Sequence, residues 1–111
     1  MQTLIDQAQI TIVEPSGHLN AANAAEFQSH LAKAVSQNNN AAILVDMGKV
    51  QSLDTAGLMA LVSGLSLAQR LQRRFSLCCV SPTIRIIFEL TQLDRVFEIF
   101  DNHAAFKVEI S

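Results

Sequence analysis

Runs of consecutive apolar residues mark the predicted strands of this chain. The segments 41–47 and 75–80 are almost wholly apolar and rich in branched residues, which is typical of strands buried on both faces of a sheet. A third run, 10–15, predicts another strand, and a short strand near 3–5 is expected to pair with it. The alternating pattern of 95–100 favours a strand close to an edge of the sheet.

Helical spacing of apolar residues fills the segments between these strands. Apolar side chains recur three or four positions apart over 22–36 and over 55–71, so each segment is predicted to be a helix with one buried face. Ser81 and Pro82 are typical of the cap and the first residue of a third helix. A short helix is predicted at 102–110.

The order of these elements predicts the fold class. Strands and helices alternate, which indicates an α/β domain with a mostly parallel or mixed sheet of four to five strands covered by about four helices. A turn at 15–17 and a loop at 37–40 separate elements, and residues 1–111 fit one domain. Functional groups in such sheets gather beyond the carboxyl ends of the strands, which directs attention to 46–57.

Charge argues against nucleic acid as a partner. The chain has a net charge of -2, whereas proteins that bind nucleic acid usually carry a basic excess on one face. The one basic cluster, formed by Arg70, Arg73 and Arg74, is interpreted as the end of a helix, where cations complement the helix dipole.

The distribution of apolar residues also argues against a membrane. The first ten residues lack the basic and apolar regions of a signal peptide, and the longest nearly apolar stretch, 56–68, is too short to span a bilayer. We therefore expect a cytoplasmic protein with no membrane contact.

The cysteines and histidines do not predict a metal site. Cys78 and Cys79 are adjacent, and neighbours in a strand point to opposite faces, so both are interpreted as small buried apolar residues in a reducing compartment. His18, His30 and His103 are scattered without metal-ligand spacing and are interpreted as surface residues.

No motif of the sequence predicts an enzyme. The chain contains no G-x-S-x-G, P-loop or G-x-G-x-x-G sequence. Asp46 and Asp54 could pair around Mg²⁺ as in a phosphoacceptor receiver domain, but the further acid pair and late lysine of that design are missing. We therefore expect no catalytic residues, no metal and no cofactor.

The stretch "SLDTAGLMALVSGL" at 52–65 begins with polar residues and then turns apolar. On one interpretation, Asp54 or Thr55 caps the helix by accepting hydrogen bonds from its first backbone N–H groups, and Gly57 allows close packing. On the other, the Thr55 hydroxyl carries a phosphate at the helix N-terminus, where backbone donors and the dipole favour negative charge. Spacing alone leaves both interpretations open.

Three motifs in a fixed order carry a resemblance to a known family. "ITIVEPSGHLNAANAAEF" has a strand and a G-x-L-[DN] turn before a helix. "AILVDMGKVQSLDTAGLMALV" has a strand, a D-x-x-x-V spacer and D-[ST]-x-G-L at a helix start. "SPTIRIIFELTQLDRVFEIF" has a closing S-P-x-[VI]-x-x-[LI]-[FL] helix and the strand after it. Together they resemble, over nearly the whole chain, the STAS domain of the anti-sigma factor antagonist (anti-anti-sigma factor) type.

The resemblance implies a regulatory binding protein that is not an enzyme. In such proteins the unphosphorylated form binds an anti-sigma factor that is also a GHKL-type serine/threonine kinase, and so displaces the sigma factor. Phosphorylation by that kinase ends the binding, and a PP2C-type phosphatase reverses it. The implied phosphoacceptor is Thr55. The positions implied around it, including those that could contact the partner, are Asn20, Asp54, Ala56, Gly57, Leu58 and Met59.

The sequence departs from the family pattern at the site. Asn20 stands where the family frequently has an acid, Ala56 stands where a second hydroxyl residue is common, and the acceptor Thr55 replaces the commoner serine. The alternative is a STAS scaffold or dimerisation module that is never phosphorylated. A monomer or weak dimer is expected in either case.

Overall fold

The computed structural model describes residues 2–5, 10–37 and 42–110, which form seven strands, four α-helices and one 3₁₀ turn. The strands are β1 Gln2–Ile5, β2 Ile10–Glu14, β3 Ser16–Leu19, β4 Ala42–Asp46, β5 Lys49–Leu53, β6 Arg74–Cys78 and β7 Glu98–Phe100. The helices are α1 Ala24–Ser36, α2 Thr55–Arg70, α3 Pro82–Leu90 and α4 His103–Ile110, with the 3₁₀ turn at Leu93–Arg95. The predicted loop at 37–40 lies, beyond Gln37, outside the described residues.

The main sheet has five strands in the order β1-β2-β4-β6-β7. The predicted pairing of β1 with β2 is confirmed; the two strands run antiparallel, and every other pair in this sheet is parallel. The mixed α/β fold class is therefore confirmed. The predicted edge strand at 95–100 is confirmed only for its last three residues, because Phe97 donates its N–H to the Leu93 carbonyl in the preceding turn.

A second, two-stranded parallel sheet joins β3 to β5. The prediction of a turn at 15–17 is wrong, because Ser16 and Gly17 pair with Lys49 and Val50 in this sheet. Both strands are short and largely exposed, so they lack the apolar runs by which the other strands were predicted.

The two faces of the main sheet carry separate apolar clusters. Alternate residues of each strand point to opposite faces, so Val45 and Leu77 join the larger cluster while Leu44 and Cys78 join the smaller one. Helices α1, α2 and α3 contribute to the larger cluster, and α4 contributes Phe106 to the smaller one. The α4 helix therefore lies on the face opposite the other three.

The helices follow the predicted segments closely. The Ser81 side chain accepts a hydrogen bond from the Ile84 N–H with Pro82 at the first helical position, which confirms the predicted cap of α3. The interpretation of the basic cluster as a helix end holds only for Arg70, because Arg74 lies in β6 and pairs with Glu98. No helix in the described ranges is long and apolar enough to cross a membrane.

Candidate functional site

Asp54 caps the α2 helix and ties it to the turn after β3. One carboxylate oxygen, Oδ1, accepts a hydrogen bond from the Gly57 N–H at 3.0 Å, and the other, Oδ2, accepts one from the Ala21 N–H at 3.3 Å. The Asp54 backbone N–H donates to the Leu19 carbonyl at 3.0 Å. The capping interpretation of the sequence is confirmed, with Asp54 rather than Thr55 as the cap.

Thr55 is the first residue of α2 and is exposed. Its hydroxyl makes no hydrogen bond with any residue in the described part of the chain. The backbone N–H groups of Thr55 and Ala56 likewise have no described partner, since the Asp54 carboxylate and carbonyl take those of Gly57 and Leu58. A free hydroxyl thus lies beside two free backbone donors at the positive end of a 16-residue helix.

Gly57 lets α2 approach the end of β3. A Cβ atom at this position would lie 2.6 Å from the Leu19 carbonyl oxygen and 2.9 Å from the Leu53 side chain. No backbone carbonyl can move away cheaply, so only glycine fits here. The close approach brings the turn that contains Asn20 against the Asp54 carboxylate.

Asn20 lies in a turn that its own hydrogen bonds hold. The Asn20 side-chain oxygen accepts from the Ala22 N–H at 3.0 Å, and the Asn20 N–H donates to Asn23 Oδ1 at 3.0 Å. The structure therefore brings Asn20 into the same region as Asp54, connected to it through Ala21.

The connection between Asn20 and the start of α2 depends on the β3–β5 sheet, which was not predicted from the sequence. His18 and Ser52, on these two strands, have side-chain atoms Nδ1 and Oγ only 2.6 Å apart. The short Ser-Gly-His-Leu and Lys-Val-Gln-Ser-Leu segments give no strong local signal for a strand.

Leu58 and Met59 have different surroundings. Leu58 is 5% exposed and packs in the larger apolar cluster, so it offers no surface to a partner. Met59 is 52% exposed and is the apolar side chain that a partner could contact beside Thr55. Of the two predicted apolar contact residues, only Met59 remains a candidate.

A second group of polar side chains converges at the carboxyl ends of β4 and β6. Asp46 and Cys78 are opposite each other in the sheet register, Cys79 follows directly, and His103 begins α4. The His103 Nε2 atom lies 2.7 Å from Asp46 Oδ2, and the two cysteine sulfurs are 3.4 Å apart. The interpretation of His103 as a plain surface residue is wrong, because the start of α4 docks its ring on Asp46.

The prediction that Cys78 and Cys79 point to opposite faces is also wrong. Cys79 has a φ angle of 61°, in the left-handed region, so the alternation of side chains along β6 ends at Cys78. Both sulfurs therefore lie on one side of the strand end.

Burial and hydrogen bonds shift the pKa values of this group. Burial alone would raise the pKa of Asp46, but the Gly48 N–H and His103 outweigh it and hold the pKa below its usual value. Burial, with a contribution from Cys79, raises the pKa of the Cys78 thiol. A free thiolate at Cys78 is therefore disfavoured.

Comparison with known proteins identifies the family. The model of a family described as STAS domain matches residues 3–106. The chain belongs to the STAS domain family. This STAS domain is similar to BtrV of Bordetella bronchiseptica, a candidate anti-sigma factor antagonist by name, with 26% identity over 98 residues that cover 85% of this chain and 84% of BtrV.

Solved structures share the fold of this STAS domain. A candidate anti-sigma factor antagonist from Thermotoga maritima aligns with a TM-score of 0.88 and 23% identity, covering 97% of this chain and 92% of its own. The anti-sigma factor antagonist SpoIIAA aligns with a TM-score of 0.72 and 16% identity, covering 97% of this chain and 94% of its own in the unphosphorylated form. At these identities the likeness concerns the fold alone.

Proposed function

We propose that this STAS domain is a phosphorylation-switched anti-sigma factor antagonist of the cytoplasm. Its unphosphorylated form binds an anti-sigma factor that is also a GHKL-type serine/threonine kinase, and the sigma factor is released. The kinase holds the ATP and transfers a phosphate to Thr55, which ends the binding. A PP2C-type phosphatase restores the binding form, and the domain acts as a monomer or weak dimer throughout.

The exposed Thr55 hydroxyl, which has no described intramolecular partner, is the observation that carries this proposal. A kinase must reach the acceptor oxygen and align it with the γ-phosphate, so an acceptor already bound within its own domain would first have to be released. Here the hydrogen bonds that hold the start of α2 come from Asp54, which leaves Thr55 available.

The position of Thr55 also accommodates the product. A phosphate there lies near the backbone N–H groups of Thr55 and Ala56 and the positive end of the helix dipole, which favour negative charge. The Asp54 carboxylate opposes it, but both Asp54 oxygens already accept hydrogen bonds. The phosphate can therefore form without disrupting the cap.

Binding, in contrast, is sensitive to the phosphate. A partner that covers Thr55 and the exposed Met59 removes water from the acceptor site. A doubly charged group buried without a cationic partner is then unfavourable by several kcal/mol. Phosphorylation thus switches the interface rather than the fold.

The names of similar proteins support this assignment. BtrV is named as a candidate anti-sigma factor antagonist, and SpoIIAA, which shares the fold, has been solved in both unphosphorylated and phosphorylated forms. Both observations concern those proteins and favour the same class of function for this chain.

Phosphopeptide mapping and affinity capture test the proposal together. Protein from its own cells should carry phosphate on Thr55, and Thr55→Ala should abolish it while Thr83→Ala, which alters an exposed threonine in the first turn of α3, should not. Thr55→Ala bait should retain a GHKL-type kinase identified by mass spectrometry. Phosphate on Ser52 or Ser63 instead would refute the site, and an interaction with no phosphorylation under any condition would support a constitutive scaffold.

A further inference from the structure

The group at the carboxyl ends of β4 and β6 combines four side chains of metal-ligating type. Asp46, Cys78, Cys79 and His103 each offer one ligand atom, and these atoms all lie within 4.8 Å of one another. They come from three segments of the chain that the fold brings together. Their convergence is separate from Thr55 and has no role in the proposed phosphorylation switch.

The backbone conformation brings the two sulfur atoms close enough to bind one ligand. Consecutive residues of a regular strand point to opposite faces, so an adjacent cysteine pair would ordinarily diverge. The left-handed conformation of Cys79 ends this alternation and leaves its Sγ atom 3.4 Å from that of Cys78. Left-handed non-glycine residues are uncommon, and they cluster at functional sites.

Outer hydrogen bonds and packing orient the other two side chains. The Gly48 N–H donates to Asp46 Oδ1 at 2.8 Å, which leaves Oδ2 facing His103. At the start of α4, Asn102 Oδ1 accepts from the Ala105 N–H at 2.8 Å, and the fully buried Phe106 anchors the helix in the cluster that contains Cys78. Such support of ligand orientation is typical of metal sites.

The burial of the group leaves an entrance on one side. Asp46 and Cys78 are buried, whereas Cys79 is half-buried and the His103 side chain is 37% exposed. An ion can therefore reach the group from the side of Cys79 and His103 while its inner ligands remain shielded from water.

We propose that Asp46, Cys78, Cys79 and His103 form a four-coordinate binding site for a thiophilic divalent cation, with Zn²⁺ as the ion that fits best. Two sulfurs, one imidazole nitrogen and one carboxylate oxygen are a donor set that zinc accepts in tetrahedral geometry. Harder ions such as Mg²⁺ and Ca²⁺ prefer oxygen ligands alone.

The observed distances fit the metal-free form of such a site. Two thiolates on one tetrahedral ion with bonds of about 2.3 Å lie about 3.8 Å apart, close to the observed sulfur separation of 3.4 Å. The hydrogen bond between His103 Nε2 and Asp46 Oδ2 opens as the ion binds both atoms, and the imidazole stays neutral with its one proton moved from Nε2 to Nδ1. Each thiol releases its proton to solvent as its sulfur binds, so two protons leave as one ion binds.

A disulfide between the two cysteines fits less well. Adjacent Cα atoms are about 3.8 Å apart, below the usual range of about 4.4–6.8 Å for bridged cysteines. The sulfurs also lie well beyond the bonded distance of about 2.05 Å. A shared cation satisfies both sulfurs without this strain.

Titration with Zn²⁺ and Co²⁺ tests the site on the full chain, prepared metal-free under reducing conditions. We expect one Zn²⁺ per chain by calorimetry, and with Co²⁺ the thiolate-to-metal absorption and intense visible bands of a tetrahedral site. Cys79→Ser and His103→Gln, at half-buried positions that should leave the fold intact by circular dichroism, should weaken Zn²⁺ binding by more than the ~10–100-fold that loss of an outer partner causes.

A matched variant and three possible outcomes decide the proposal. His18→Gln removes a histidine outside the group, whose Nδ1 atom lies 2.6 Å from Ser52 Oγ, and should leave the Zn²⁺ affinity unchanged. The proposal is overturned if Co²⁺ gives no thiolate absorption or if all variants bind Zn²⁺ like the wild type. It is also overturned if the protein from its own cells contains a Cys78–Cys79 disulfide, detected as a mass lower by two hydrogens, instead of a metal.

Discussion

The start of α2 and the group of Asp46, Cys78, Cys79 and His103, called here the group beneath α4, both lie near strand ends. They differ in exposure and in how many segments of the chain contribute to them. At the start of α2 Thr55 is exposed, and neighbouring residues of one short segment form most of its surroundings. Beneath α4, Asp46, Cys78 and His103 come from three distant segments; Asp46 and Cys78 are buried, and the His103 side chain is 37% exposed.

The two regions therefore respond differently to a chemical change of a side chain. A chemical change at the exposed Thr55 leaves the apolar clusters in place, so in the proposed switch its effect falls on the partner interface. A change at Cys78 affects a fully buried side chain, so packing and ligand binding are altered together. The start of α2 is thus suited to modification, and the group beneath α4 to holding a ligand.

Phosphorylation of Thr55 should give the largest effect and the sharpest test of this contrast. We expect kinase affinity to fall by about 100-fold or more, equivalent to roughly 2.7 kcal/mol, because docking would bury a doubly charged group. The Tm should barely move, since the helix dipole and the Asp54 carboxylate act in opposite directions in screened surroundings. Calorimetry and thermal unfolding on the same samples measure both quantities.

Thr55→Glu places a negative charge at the acceptor position without a phosphate, and Thr83→Glu, in the first turn of α3, is its matched control. Both positions are exposed threonines near a helix start, but only Thr55 belongs to the proposed interface. Thr83→Glu should therefore change neither the kinase affinity nor the Tm. If phosphorylated protein melts many degrees lower, the switch acts through unfolding and the contrast between the two regions fails. If affinity is unchanged, Thr55 lies outside the interface.

Gly57→Ala should give the next largest effect, on stability. The added Cβ would lie 2.6 Å from the Leu19 carbonyl oxygen, and we expect the free energy of unfolding to fall by about 1–3 kcal/mol. The counterpart beneath α4 is Gly48→Ala, whose Cβ would lie 3.0 Å from a side-chain oxygen of Asp46, and a smaller loss is expected. Urea unfolding measures both, and equal losses would show that α2 shifts to accept the extra atom.

The fold was predictable from sequence wherever a long apolar run or a helical repeat specified an element. The strands β2, β4 and β6 and the helices α1 and α2 belong to this class, because their apolar residues lie in the two clusters. The β3–β5 sheet was not predictable in this way, since its residues are largely polar and exposed and its pairing partners are distant in sequence.

The two candidate sites likewise differ in how far they could be predicted from the sequence. Asp54, Thr55 and Gly57 are close in sequence, so capping and a free hydroxyl could be inferred from local rules. The pairing of His103 with Asp46 depends on where α4 docks, and the convergence of Cys78 and Cys79 depends on one left-handed residue. Neither feature leaves a local pattern in the sequence.

Loss of the Asp54 cap should have a moderate effect on stability. Asp54→Ala removes the acceptor of the Gly57 and Ala21 N–H groups, and we expect a loss of about 1 kcal/mol. Asp54→Asn retains an acceptor oxygen and should lose much less. Beneath α4, Asn102→Ala removes a single acceptor and should cost less than Asp54→Ala. If the loss at Asn102 is the larger one, as measured by thermal unfolding, the carboxylate of Asp54 does not hold the start of α2.

Asn20→Asp should give the smallest effect, and we expect it only in the rate of Thr55 phosphorylation. The carboxylate can still accept from the Ala22 N–H, so stability should change by no more than about 0.5 kcal/mol. Its new charge lies in the turn that Ala21 connects to Asp54, the residue directly before Thr55.

We expect Asn20→Asp to speed phosphorylation of Thr55 by the kinase about twofold to tenfold, a barrier change of at most roughly 1.4 kcal/mol. Asn102→Asp places the same charge at the capping position of α4, and its rate should match the wild type because that turn belongs to the other region. Initial rates with radiolabelled ATP measure both. Equal rates in all three proteins would place the Asn20 turn away from the chemistry, and equal acceleration in both variants would make the effect one of net charge rather than of position.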